Sequence, residues 1–167
     1  LMILFILLIF VYPSVGYNSD YVSNLIQITT DSEDDLNPSW SPDGLKIAFE
    51  SRRGGDNRVY LMDADGTNAR RLTTDDVKEA EPSWGLNSQK IAFVSRKAGD
   101  QDIWIVNSDG SNLQRLTFYE TDTGGWDPSW SPNGQNIVFE STRDRDLSLP
   151  WYEREDSGYD LFIMNSD

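Results

Sequence analysis

Cysteine and histidine are both absent from the 167 residues. No thiolate nucleophile, Ser-His-Asp triad or Cys/His zinc site can therefore be built within this chain. A chain without Cys also carries no mark of its redox compartment. Basic residues are scarce, with 14 Lys and Arg against 28 Asp and Glu, so the formal charge is −14. Such a surface repels nucleic-acid phosphates and anionic lipid headgroups. Nucleic acid is excluded as a partner, and a basic protein segment or a divalent cation suits the charge better. The simplest use of the acidity is solubility. Long apolar runs are also missing: the run Leu1–Val11 falls well short of the ~20 residues that a spanning helix needs.

That run still has a reading. It is uncharged, Pro13 breaks it, and Ser14-Val15-Gly16 supplies small residues where a signal peptidase reads. Residues 1–16 are expected to be a signal peptide cleaved after Gly16, or a helix if retained. Residues 17–24 then form a short linker. The basic n-region is lacking, since the first basic residue is Lys46, and the chain opens on Leu1, so the start of the protein is expected upstream. No Cys follows the run, which excludes lipoprotein processing. The expected location is outside the cytoplasm, periplasmic or extracellular, with no stable membrane span after cleavage.

What the chain has in abundance is repetition. Asn37-Pro38-Ser39-Trp40 returns as Glu81-Pro82-Ser83-Trp84 and Asp127-Pro128-Ser129-Trp130, at offsets of 44 and 46 residues. Ile47-Ala48-Phe49 matches Ile91-Ala92-Phe93 and Ile137-Val138-Phe139. Val59-Tyr60-Leu61-Met62 matches Ile103-Trp104-Ile105-Val106 and Leu161-Phe162-Ile163-Met164. Ile28-Thr29-Thr30 matches Leu72-Thr73-Thr74 and Leu116-Thr117-Phe118. Each block is short, rich in β-branched and aromatic residues, and bounded by turn signals, as strands are. Ser41-Pro42-Asp43-Gly44 and Ser131-Pro132-Asn133-Gly134 read as type I turns, and Asp65-Gly66 and Asp109-Gly110 as two-residue hairpins. In the second copy the first turn decays to Gly85-Leu86-Asn87-Ser88, so a looser hairpin is expected there.

Each repeat thus reads as four antiparallel strands. In the first, A lies near Pro38–Ser41, B at Lys46–Ser51, C at Arg58–Asp63 and D at Ala69–Thr73. Strands B and C are apolar on both faces, which suits a sheet sandwiched between neighbours. Radially stacked propeller blades provide that double burial, and the period fits a blade. The fold class is all-β, a partial propeller of four-stranded blades over 25–167. The blades are expected at 30–73, 74–117 and 118–167, with 25–29 as an outer closing strand.

The Leu-Thr-Thr start, Pro-Ser-Trp-Ser-Pro-Asp-Gly, Ile-Ala-Phe-x-Ser-Arg and Asp-x-Asp-Gly together resemble the TolB β-propeller family, over Leu25 to Asp167. The resemblance implies a ring of six blades, further blades after Asp167, and a protein-docking role at the cell envelope without catalysis. TolB carries an additional domain before its propeller, which the few residues ahead of Leu25 do not supply, so the expectation is a TolB-like scaffold. Similar propellers gate prolyl oligopeptidase-like peptidases and form oligogalacturonate lyase-like proteins, which are the enzymatic alternatives. Blades left without neighbours expose apolar faces and are expected to self-associate.

No catalytic, cofactor-binding or metal-ligating residue is assigned, and no Asp-x-Asp-x-Asp-Gly calcium loop is present. Acidic residues cluster between strands D and A (Asp31, Glu33, Asp34, Asp35; Asp75, Asp76, Glu79, Glu81; Glu120, Asp122, Asp127), and basic ones between B and C (Arg52, Arg53, Arg96, Lys97, Arg143, Arg145). They form either a partner-docking rim or local ion pairs, and ion pairing is the expectation for any single residue. Trp40, Trp84 and Trp130 recur once per blade and are expected in the core. The unrepeated residues are the candidate partner contacts: Trp126, read as part of an irregular loop, and Arg143, Arg145, Trp151 and Tyr152 around a 12-residue insertion.

Overall fold

A computed structural model of the chain describes residues 25–118, 124–142 and 158–166. The expected leader, the linker and the 143–157 part of the insertion lie outside the described residues. The first sheet contains β1 (Asp35–Trp40), β2 (Lys46–Ser51), β3 (Arg58–Asp63) and β4 (Arg70–Arg71). The second contains β5 (Glu79–Trp84), β6 (Lys90–Ser95), β7 (Asp102–Asn107) and β8 (Gln114–Arg115). The third contains β9 (Gly125–Trp130), β10 (Asn136–Ser141) and β11 (Asp160–Asn165). Every sheet is an antiparallel meander in chain order. No helix occurs among the described residues, and none there is long and apolar enough to cross a membrane.

Strands B and C have the bounds read from the sequence, because their side chains are buried on both faces. One cluster joins Ala48, Val59, Leu61 and Leu72 of the first sheet to Trp84, Ile91, Phe93, Trp104 and Val106 of the second. Ala92 and Ile105 meet Ile137 of the third, and Val94 and Ile103 meet Phe139. Neighbouring blades thus share one core, and each sheet serves as wall for the next.

The outer strands differ from expectation. D shrinks to two residues in each of the first two sheets. After Arg71 the backbone turns inward, with Leu72 N–H on the Val59 carbonyl (2.9 Å) and the Thr73 hydroxyl donating to Glu79 of the next blade. Strand A starts earlier, so Asp35, Glu79, Glu81 and Asp127 belong to strands and not to the loops before them. Residues 25–29 form no strand. They nevertheless stand where a D strand would: a Cβ at Gly66 would overlap the Ile28 carbonyl, as one at Gly110 would lie 2.7 Å from the Leu72 carbonyl.

The turns follow their chemistry. Gly44 N–H donates to Ser41 O (2.8 Å) and Gly134 N–H to Ser131 O (2.9 Å). The degraded copy keeps its hairpin with a longer bond, Ser88 N–H to Gly85 O at 3.1 Å, and Ser88 takes the left-handed φ of 55° that glycine has elsewhere. The hairpins at Gly66 and Gly110 are three-residue loops, since Asp63 N–H meets Thr67 O and Asn107 N–H meets Ser111 O. Only the glycine has positive φ there, and the Asp65 and Asp109 carboxylates instead accept from Thr67 and Ser111.

Buried charge lies at both blade interfaces, arranged differently at each. Between the first and second, Arg58 on strand C is buried and Glu79 on the next strand A is buried, flanked by Arg58 and Arg71. Between the second and third, the strand C position of Arg58 is held by Asp102, 0 % exposed, which pairs with Arg115 at 2.7 Å. Gly125 stands there in the place of Glu79. Burial pushes both the Glu79 and Asp102 carboxyls above their ordinary values, against the pull of the neighbouring guanidinium groups and threonine hydroxyls.

The expectation for the three tryptophans holds in part. Trp84 is buried and Trp130 packs against the core of the second interface. Trp40 is 57 % exposed. It occupies the same face of its sheet as Trp84, but no preceding blade among the described residues covers that face.

Candidate functional site at the axial carboxylates

The first strands of the three sheets, β1, β5 and β9, lie side by side and each carries a bulge. The bulge residues are Asn37, Glu81 and Asp127, with φ of 48°, 55° and 47°, and each is followed by a proline. Left-handed backbone costs about 1–2 kcal/mol at a residue with a Cβ. The bulge re-aims the side chain, as bulges beside functional sites do. Here Asn37, Glu81 and Asp127, with the prolines after them, line one open cavity of about 330 Å³.

Carboxylates connect the bulges across the blades. Glu50 on β2 accepts from the side chains of Asn37 and Asn57 (2.8 Å from Asn57), and from the Glu81 backbone N–H at 2.8 Å. Glu81 in turn accepts the Asp127 backbone N–H at 2.7 Å. Each interface thus gives the bulge N–H of the following blade to a carboxylate of the preceding one. Burial pushes the Glu81 carboxyl up to about 7, opposed by the Asp127 N–H and helped by the charges of Asp127, Glu50 and Glu140. The site can accept hydrogen bonds, attract cations and exchange a proton near neutrality. Among the described residues, no three acidic side chains converge closely enough to hold a metal ion.

The basic residues between B and C pair locally. Arg53 reaches Asp31 (2.7 Å) and Asp35 (3.0 Å) while its guanidinium lies over Phe49 and Tyr60, at 5.2 and 5.0 Å from the ring centres. Lys97 repeats this with Asp75 (2.7 Å) and Trp104 (5.7 Å). Arg52 meets Asp34 at 3.2 Å. Burial works against the Asp35 charge, but hydrogen bonds from Ser51, Arg53 and Thr29 hold its carboxyl below the ordinary value. Exposed pairs of this kind contribute roughly 0–1 kcal/mol each. Arg52, Arg53 and Lys97 are therefore internally matched.

Of the candidate contacts, Arg143, Arg145, Trp151 and Tyr152 lie outside the described residues. Trp126 belongs to β9 and not to an irregular loop. It pairs opposite Glu140, as Leu36 does opposite Glu50 and Ala80 opposite Val94, so it does have counterparts. Its ring is half-buried, meets Tyr159 edge-on at 5.1 Å, and borders a polar cavity of about 300 Å³ with Arg96, Asp100 and Gln101. Glu81 and Asp127 were visible in the sequence only as part of acidic loops, and Glu50 was not singled out. Their one signal was the acid or amide placed before each repeated Pro-Ser-Trp.

A family model described as the TolB beta propeller domain matches residues 18–155. The chain is similar to a solved TolB candidate from Agrobacterium tumefaciens, with 29% identity, a TM-score of 0.67, and 83% of this chain and 48% of that one covered. TolB from Acinetobacter baumannii shares 19% identity at a TM-score of 0.64, covering 83% and 31%. An oligogalacturonate lyase from Vibrio parahaemolyticus shares 15% at 0.57, covering 75% and 35%. The last two show the fold alone. The chain spans about half the length of the A. tumefaciens protein and less of the others. Its repeat register, its stacked four-stranded blades and the family model agree, and the chain belongs to the TolB β-propeller family.

Proposed function

We propose that the chain is an exported, non-catalytic interaction scaffold whose axial carboxylates receive a basic segment of a partner protein. The observation that carries this reading is the run of three left-handed bulge residues, Asn37, Glu81 and Asp127, turned into one open cavity. Their backbone geometry is unfavourable and recurs in all three described sheets, whereas Arg52, Arg53 and Lys97 on the rim already pair with acids. Amide and carboxylate oxygens converging beside a lone serine hydroxyl, Ser129, in a chain without histidine suit recognition of ammonium, guanidinium or amide donors. The TolB-type relatives and the apolar Leu1–Val11 run support export. Recovery of Tyr17 as the first residue of the secreted protein would establish it.

The binding test compares two substitutions of equal charge. Titration calorimetry with a short oligolysine peptide is run on Asp127→Asn at the cavity and Asp56→Asn in the outer B–C loop. Loss of about tenfold in affinity is expected for the first, and under about twofold for the second. Equal losses for both would show bulk charge attraction and overturn the assignment. The enzymatic alternatives have only fold-level likeness behind them.

A further inference from the structure

The lining of the axial cavity is rich in hydrogen-bond acceptors and poor in donors. Each bulge residue is followed by a proline, and Pro38, Pro82 and Pro128 all line the cavity. Proline has no backbone N–H to offer. The neighbouring donors are already engaged: Glu50 takes the Asn37 side-chain amide and the Glu81 N–H, and Glu81 takes the Asp127 N–H. What remains is the Asn37 amide oxygen, the second oxygen of Glu81 and the Asp127 carboxylate, one acceptor group from each sheet, with the Ser129 hydroxyl beside them.

The fold treats Glu50 and Glu81 differently. Glu50 accepts from three groups, the Asn37 and Asn57 side chains and the Glu81 N–H. Glu81 accepts only the Asp127 N–H among the described residues. The elements packed against it bring no free cation. β2 brings Glu50, β9 brings Asp127 and β10 brings Glu140. β1 offers the neutral Asn37, and β6 places Val94 where Glu50 and Glu140 stand on their own sheets, with Lys90 beyond the far end of β5. On β3, Arg58 and Asp63 are paired with Asp76 and Lys46. Burial first, and the three acids after it, push the Glu81 carboxyl up to about 7 against the pull of the Asp127 N–H.

Resting on the reading of this cavity as the receptor of a basic segment, we propose that its occupant is a primary ammonium group, which enters in exchange for the Glu81 proton. An ammonium carries three N–H donors on one atom, matching three acceptor groups on three sheets, whereas a guanidinium is a planar fork. Its charge beside Glu81 favours the ionised carboxylate. Ligand and proton therefore compete, and each weakens the hold of the other. Binding needs Glu81 ionised, so affinity is full well above pH 7 and lost as pH falls through it. A fall of about tenfold is expected from pH 8 to pH 6. At pH 7 the release should be about half a proton per ammonium bound.

The probe is an N-acetylated oligolysine peptide, whose side chains stay charged across this range. Calorimetric titration of the purified chain at pH 7, in two buffers of different ionisation enthalpy, counts the protons released. Glu81→Gln should abolish the release and leave binding independent of pH between 6 and 8. The same peptide with trimethylated lysines keeps its charge but loses its side-chain donors, and should bind about tenfold more weakly. Equal binding of the two peptides overturns the inference and leaves the basic-segment reading standing. So does an affinity of the parent that stays flat from pH 6 to 8, or a proton release that survives in Glu81→Gln. Failure of both peptides to bind at any pH removes the basic-segment reading as well.

Discussion

Replacing Glu81 by Gln tests the electrostatics of the axial site. The Glu81 carboxyl rises from 4.5 to about 7 on folding, chiefly through burial. A folded-state value above the unfolded one means that stability is full below pH ~4.5 and declines as pH climbs to about 7. At about 1.4 kcal/mol per pH unit the loss would reach about 3.4 kcal/mol. Glu81 is only half-buried, so solvent screening reduces this to about 1–2 kcal/mol. Gln keeps an acceptor for the Asp127 N–H and removes the charge facing Asp127, Glu50 and Glu140. Glu81→Gln should therefore be about 1–2 kcal/mol more stable than the parent at pH 8 and nearly equal at pH 4.5. Urea melts followed by tryptophan fluorescence from pH 4.5 to 8 measure this. With no histidine, the window is free of the usual titrating group, and only raised carboxyls such as Glu79 and Asp102 share it. If the stability gap between the two proteins does not widen with pH, the burial argument is wrong.

Three other substitutions probe separate parts of the fold. Ser88→Gly should stabilise by about 1 kcal/mol in the same melts, because it relieves a left-handed residue in the decayed turn. Asp102→Ala should destabilise by about 3 kcal/mol, since it strands the Arg115 guanidinium and the Thr117 hydroxyl; Asp102→Asn, which keeps an acceptor for Thr117, should do less harm. Gly124→Ala places a methyl into the Trp126 indole and should cost about 1–3 kcal/mol, with a shift in tryptophan emission as that ring moves.

Strands B and C could be read from the sequence because double burial leaves a plain mark: Ile-Ala-Phe and Val-Tyr-Leu-Met have no polar face to give up. The proline- and glycine-based turns were legible for the same local reason. The A strands were not. A residue before proline is biased towards extended backbone, so nothing local announced that Asn37, Glu81 and Asp127 would turn left-handed. At Glu81 and Asp127 a carboxylate of the preceding blade takes the bulge N–H, while the Asn37 side chain bonds Glu50 of its own sheet. The short D strands escaped for a related reason: Thr73 and Thr117 look like strand residues, but their hydroxyls serve Glu79 on the next blade and Ile103 on their own. Repetition of Trp40 implied a buried ring, yet burial belongs to the neighbour and not to the residue. The Arg–Asp rim was anticipated as local pairing, and the distances bear that out.

The exchanged polarity of the two buried charge sites makes the blades non-interchangeable despite their likeness. A second sheet moved into first place would bring Asp102 against Glu79, two buried acids sharing the one guanidinium of Arg115. A first sheet moved into second place would set Arg58 against Gly125, without the buried Glu79 that it faces now. Near-identical modules with apolar walls could otherwise slip by one blade and still bury their cores. The buried charges act as an address for each module, so duplicated blades could diverge at their edges while still assembling in one order.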